Sequence, residues 1–187
     1  DDTDADVPKL LHQLNRKRWI KRLERGKYLI IPPAAGPEAE WAEHEYLIAA
    51  SLAEPYYLAY ATALHYYGYT DRIPDPIIIA TTRRKRPVTI DHRPYQFVNL
   101  TTHKFFGYDA TELLGESVQI AEREKAIADG FDHPELIGGV IESAKGLLLE
   151  PGLSVDAITG LCREGVAKFP RDAELYIRPM FFAMRGF

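Results

Sequence analysis

Apolar and polar positions near the start of the chain follow two different periods in succession. Leu10, Leu11 and Leu14 fall on one side at helical spacing. Asp6 stands where it can cap such a helix, and Pro8 is tolerated in its first turn. Residues 16–31 then read as the end of the helix followed by a β-hairpin. Trp19, Ile20 and Leu23 are the apolar positions there, Arg25-Gly26-Lys27 is a turn, and Tyr28-Leu29-Ile30-Ile31 is the return strand. Pro32-Pro33 stops it. A helix running into a basic hairpin is the back half of a winged helix-turn-helix, in which the helix enters the major groove and the wing touches phosphates.

Further along, residues 32–40 read as a linker and domain boundary. Residues 38–52 predict a helix, with Trp41, Glu45, Ile48 and Leu52 in step. Residues 56–60 are β-prone, and residues 62–67 form a short helix closed by Gly68. Tyr56, Tyr57, Tyr60, Tyr66, Tyr67 and Tyr69 crowd this segment. They read as core packing, with a partner surface as the alternative. Ile77-Ile78-Ile79-Ala80 predicts a buried strand. Residues 88–90 and 95–100 predict two more, joined by Asp91-His92-Arg93-Pro94, with the weak alternation of a one-sided sheet at Gln96, Phe97, Val98 and Asn99. Phe105-Phe106-Gly107-Tyr108 reads as another short strand. Residues 122–131 read as a helix charged on one side, and residues 135–149 as a second helix. Ser154 opens a third, running to residue 168. The expected fold class is α+β. Residues 1–35 are expected to form a partial N-terminal winged helix-turn-helix, its recognition helix and wing, 36–150 a mixed α/β core domain, and 151–187 a C-terminal tail.

Charge sharpens the reading of the first segment. From Lys9 to Lys27 the cations are Lys9, Arg16, Lys17, Arg18, Lys21, Arg22, Arg25 and Lys27, and the only anion is Glu24. The whole chain carries a formal net charge of -4 over 187 residues, so this footprint is local. Such a cluster suits nucleic acid, and a basic surface hairpin without a ligand is the plainer alternative. Gln13 and Asn15 on the helix carry amides able to read adenine edges, while Arg25 and Lys27 at the hairpin tip suit phosphates. A second basic run, Arg83-Arg84-Lys85-Arg86, reads either as a partner surface at a strand end or as an extension of the DNA footprint.

Other chemistry is sparse. The hydrophobic share of 46% and charged share of 27% are those of a soluble globular protein. The single Cys162 fits a reducing cytoplasm, the acidic start is no signal peptide, and no apolar run reaches membrane-span length. His12, His44, His65, His92, His103 and His133 are scattered without metal-ligand spacing, so no metal site is expected. Gly138-Gly139 lacks the spacing of a dinucleotide loop. Glu112, Glu116, Glu122, Glu124 and Asp129 read as a solvated helix face.

Several of these pieces together resemble the AbiEi-type antitoxins, the transcription-regulating half of a bacterial type IV toxin–antitoxin pair. The resemblance is carried by residues 19–29, by Tyr60-Ala61-Thr62-Ala63-Leu64-His65-Tyr66-Tyr67-Gly68, and by residues 79–87. Lys104-Phe105-Phe106-Gly107-Tyr108 and Arg123-Glu124-Lys125-Ala126-Ile127 extend it, so that it spans about residues 7–149. It implies an antitoxin that binds inverted repeats in its own promoter as an autorepressor. It also implies opposition to a nucleotidyltransferase-like toxin without a stable complex. Residues 150–187 instead resemble a stretch of branched-chain amino-acid aminotransferases, in which Tyr176 and Arg178 would line the substrate side of a pyridoxal-phosphate pocket. The lysine and phosphate cup of that family are expected to be absent, so neither enzymatic activity nor a cofactor is expected. The competing readings are a protein-interaction module without DNA binding and, more remotely, an aminotransferase fragment.

Overall fold

Ile77-Ile78-Ile79-Ala80 does become a fully buried strand inside the main sheet. A computed structural model of the chain describes residues 6–17, 19–31, 42–150, 152–154, 156–158 and 160–161. The fold is α+β. Helix α1 (Val7–Arg16) leads into strands β1 (Ile20–Glu24) and β2 (Lys27–Ile30). Helix α2 (Ala42–Leu52), strand β3 (Tyr57–Leu58) and helix α3 (Ala61–Tyr66) follow. Strands β4 (Ile77–Thr81), β5 (Val88–Ile90), β6 (Arg93–Asn99), β7 (Tyr108–Leu113) and β8 (Glu116–Ala121) precede helices α4 (Arg123–Asp132) and α5 (Val140–Leu149).

β1 and β2 make a two-stranded antiparallel sheet, and the others form a mixed sheet ordered β5-β6-β4-β3-β8-β7. β4 lies between parallel β6 and antiparallel β3, and all of its residues are buried. A strand covered on both faces needs no polar alternation, which is why its sequence is a continuous apolar run. The tyrosines pack as core: Tyr57, Tyr60, Tyr69 and Tyr56 are buried, and Tyr66 and Tyr67 are half-buried against them. Their hydroxyls are used where they can be. Tyr67 donates to the Ala121 carbonyl at 2.8 Å, and Tyr66 meets the Thr111 hydroxyl at 3.1 Å.

Several elements differ from the sequence reading. Asp6 sits at the start of α1 but makes no side-chain capping bond. The Asp91-His92-Arg93-Pro94 connection is only Asp91-His92, both at positive φ (46° and 66°), and Arg93 and Pro94 already pair within β6. Gln96, Phe97 and Val98 are all half-buried rather than alternating. Phe105-Phe106-Gly107 is not strand: a 3-10 turn at Thr102–Lys104 precedes it, and pairing begins at Tyr108.

The carboxylate series is no helix face. Glu112 and Glu116 lie on facing strands of the β7–β8 hairpin, because Leu114 and Gly115 both take positive φ (53° and 80°) and reverse the chain. Only Glu124 and Asp129 are on α4, and Asp129 is buried. The helix expected over 135–149 starts at Val140, since Gly138 and Gly139 (φ 83° and 119°) break it from a 3-10 turn at Pro134–Leu136. Ser154 does cap a helical turn, its hydroxyl accepting the Ala157 N–H at 3.1 Å. Among the described residues no helix is long and apolar enough to cross a membrane.

Candidate nucleic-acid interface

Helix α1 lies on the surface. None of its residues is fully buried, Leu11 and Leu14 being half-buried and Val7 and Leu10 exposed. Lys9, Gln13 and Arg16 are exposed, as is Lys17, which closes the helix by donating its N–H to the Gln13 carbonyl at 3.0 Å. The chain then turns tightly: the Trp19 N–H reaches back to the Leu14 carbonyl at 3.1 Å. Asn15 holds helix and hairpin together, its side-chain oxygen accepting the Arg22 N–H at 3.3 Å. The amide oxygen of Asn15 is thus engaged in linking helix and hairpin, although Asn15, like Gln13, is exposed.

In the hairpin, Ile20 pairs with Ile30 and Arg22 with Tyr28, with an irregularity between Arg22 and Glu24. Gly26 has φ 78°, the conformation the tight turn requires. One side of β1 meets the core. Leu23 is 9% exposed and belongs to the main apolar cluster. Beside it, Glu24 Oε1 lies 2.8 Å from Lys85 Nζ, and Lys21 pairs with Asp91. Lys27 donates to the Ser51 carbonyl at 3.4 Å. Arg22 and Arg25 remain exposed beside them.

The predicted cations therefore divide. Lys9, Arg16, Lys17, Arg22 and Arg25 are exposed. Lys21 and Lys27 are engaged with the core, although Lys27 stays exposed. Arg18 lies outside the described residues, as do Cys162, Tyr176 and Arg178. In the second basic run Arg83, Arg84 and Arg86 are exposed at the end of β4. Lys85 is the exception: it pairs with Glu24, donates to the Leu52 carbonyl and lies over the Phe97 ring at 5.0 Å. The same contact that removes Lys85 from the exposed run neutralises the anion of the hairpin.

A second polar cluster was not visible as a site in the sequence. Lys125 and Asp129 on α4 are 4% and 8% exposed and bond to each other. Lys125 Nζ also lies over the rings of Tyr57 and Phe106, at 5.8 and 5.4 Å. Burial pushes the Asp129 carboxyl above its ordinary range, against the pull of Lys125. Burial likewise pushes up the Tyr57 and Tyr60 phenols, with Asp129 adding to the effect. The Tyr57 hydroxyl and Asp129 Oδ2 have no hydrogen-bond partner among the described residues. An adjoining cavity between Tyr60, Lys104, Asp129 and Asp132 has a volume of about 10 Å³. That is room for one water, not for a substrate. The only local sign of the pair was a Lys and an Asp four residues apart, a spacing common on exposed helices. Among the described residues no three His, Cys, Asp or Glu side chains gather as metal ligands.

Comparison with protein-family models and with curated proteins gives no match for this chain.

Proposed function

We propose that this protein is a DNA-binding transcriptional autorepressor and antitoxin of the AbiEi kind that its sequence resembles. It binds inverted repeats in promoter DNA and opposes a nucleotidyltransferase-like toxin without forming a stable complex with it, acting in the cytoplasm. The observation that carries the reading is the segregation of charge on α1 and the hairpin. Between Lys9 and Lys27 the sole anion is tied to Lys85, while Lys9, Arg16, Lys17, Arg22 and Arg25 stay exposed. A helix and an adjacent hairpin tip lined with exposed cations can contact the phosphates of a duplex, with Gln13 exposed to reach a base edge. Arg83, Arg84 and Arg86 offer further cations for DNA or a protein partner.

The test is a titration of a duplex carrying the repeats of the protein's own promoter at several salt concentrations. If about six phosphates are neutralised, affinity falls roughly a thousandfold between about 50 and 200 mM salt. Replacing Arg22 and Arg25 together by Gln weakens binding to all sequences alike and lowers the salt slope by up to about 0.9 per lost phosphate contact. Absence of binding, or binding indifferent to salt, refutes the reading. The competing interaction-module reading draws on α5, where Ile141, Leu148 and Leu149 are 66%, 53% and 62% exposed. Protein capture without any DNA affinity would favour it.

A further inference from the structure

In sequence Lys85 is one of four consecutive cations, yet in the fold its ammonium is occupied on every side described above. It faces Glu24 at 2.8 Å, donates to the Leu52 carbonyl, and sits against Phe97, with its side chain 21% exposed. Little of it is left for a phosphate. Its location is also telling. Leu52 is the last residue of α2, and the last turn of α2 has no basic residue of its own. The carbonyls at a helix C-terminus attract cations. Here they are met from far along the chain, Leu52 by Lys85 and Ser51 by Lys27 from β2.

The hairpin is thus held at separate places. Leu23 enters the apolar core, Glu24 reaches the segment after β4, Lys21 reaches the β5–β6 turn, and Lys27 reaches the end of α2. A hairpin resting on Leu23 alone could pivot about it. Polar contacts to different core segments oppose that rotation. We propose that Lys85, acting through Glu24, is a positioning residue that fixes the orientation of the β1–β2 hairpin on the core and contacts no phosphate itself. The proposal rests on the DNA-binding reading above. A hairpin already held in one orientation loses less conformational freedom when it docks, so the clamp strengthens binding without adding a contact to the ligand.

A direct contact and a positioning residue leave different marks on salt dependence. Loss of a phosphate contact lowers the slope of log affinity against log salt by about one. Loss of a positioning residue lowers affinity equally at all salt concentrations. The experiment compares the full chain with Lys85→Met, Glu24→Gln and the double variant, titrating promoter duplex across a salt series. Hydrogen exchange is followed at the backbone amides of β1, β2 and β4. Met keeps an unbranched stem over Phe97, and Gln preserves the shape of Glu24, so at least the second variant leaves the core intact.

Each single variant weakens binding roughly fivefold with the slope unchanged. The double variant is no worse than the weaker single, because the two residues act through each other. Hairpin amides exchange faster in all three while β4 amides keep their protection. A slope lowered by about one in Lys85→Met overturns the proposal and leaves the DNA-binding reading standing. So do unchanged affinity and exchange, or costs that simply add. A wild-type chain that fails to bind duplex overturns both.

Discussion

Lys9 on α1 and Lys125 on α4 carry the same charge in opposite surroundings. Lys9 is exposed on a helix with no buried residue. Lys125 is 4% exposed, bonded to a buried carboxylate and covered by aromatic rings. The N-terminal helix and hairpin keep much of their charge on the outside and reach the core through Leu23 and a few polar contacts. The core domain turns some of its charges inward and satisfies them there. Exposed cations contribute little to folding and remain available to an anionic partner. A buried pair does the reverse: each member is costly to leave alone, so its work is internal. The contrast separates charge left exposed at the surface from charge built into a scaffold.

The comparison breaks first at Lys125. Lys125→Met leaves Asp129 buried without its counter-charge, and urea unfolding should show a loss of about 3–5 kcal/mol. Adding Asp129→Asn should recover most of it. In the single variant Asp129 has its carboxyl raised further above the ordinary range. An acid raised in the folded state binds its proton more tightly there, so stability is greatest below the ordinary carboxylate range and declines as pH rises through the raised value. A loss no larger than that of Lys9→Met, within about 0.5 kcal/mol, would put the two lysines in the same class.

Glu142 gives a smaller effect with the opposite sign. Its carboxylate accepts the Thr70 hydroxyl at 2.7 Å and a bond from Lys145 at 3.0 Å, and these hold its pKa below the usual value. A lowered acid contributes stability above the ordinary carboxylate range and loses it as pH falls through the lowered pKa. Thr70→Val should therefore cost about 1–2 kcal/mol near neutrality, and the difference from wild type should shrink in acid. A cost that is constant across that titration would locate the contribution of Thr70 elsewhere, for instance in its bond from the Arg72 N–H.

The smallest effect sharpens the comparison within α1 itself. Asn15→Ala removes the acceptor of the Arg22 N–H and should cost about 0.5–1.5 kcal/mol, with faster exchange at that amide. Gln13→Ala should leave stability within about 0.5 kcal/mol and change only which duplex is preferred. If the two variants behave alike, one of the amides has been assigned the wrong role.

What was legible in the sequence was local. The helix, the Gly26 turn, the return strand and the apolar run of β4 each depend on residues close together in the chain, and their periodicity reports them directly. The failures have a common form. Glu112 and Glu116 stand four apart, as on a helix, but Leu114 and Gly115 at positive φ put them on two strands. Leu114 gives no advance sign of that conformation, because a left-handed leucine is uncommon and is held there by the pairing of β7 with β8. The boundary of α5 went unread for a related reason: paired glycines are tolerated in a helix until the surrounding packing requires positive φ.

The sequence by itself determined that cations crowd the segment from Lys9 to Lys27 and again from Arg83 to Arg86, and that a helix runs into a hairpin there. Tertiary structure alone decided which of those cations face outward. Lys21 finds its partner at Asp91, Lys27 at Ser51, and Glu24 at Lys85. Asn15, by contrast, meets Arg22 only a few residues on, but through the hairpin rather than the helix. Hydrophobic period and turn chemistry act over a few residues, and they encode where a charge lies on its own element. Whether that charge is free depends on which distant segment the fold brings within hydrogen-bonding reach, and that is settled only when the elements pack.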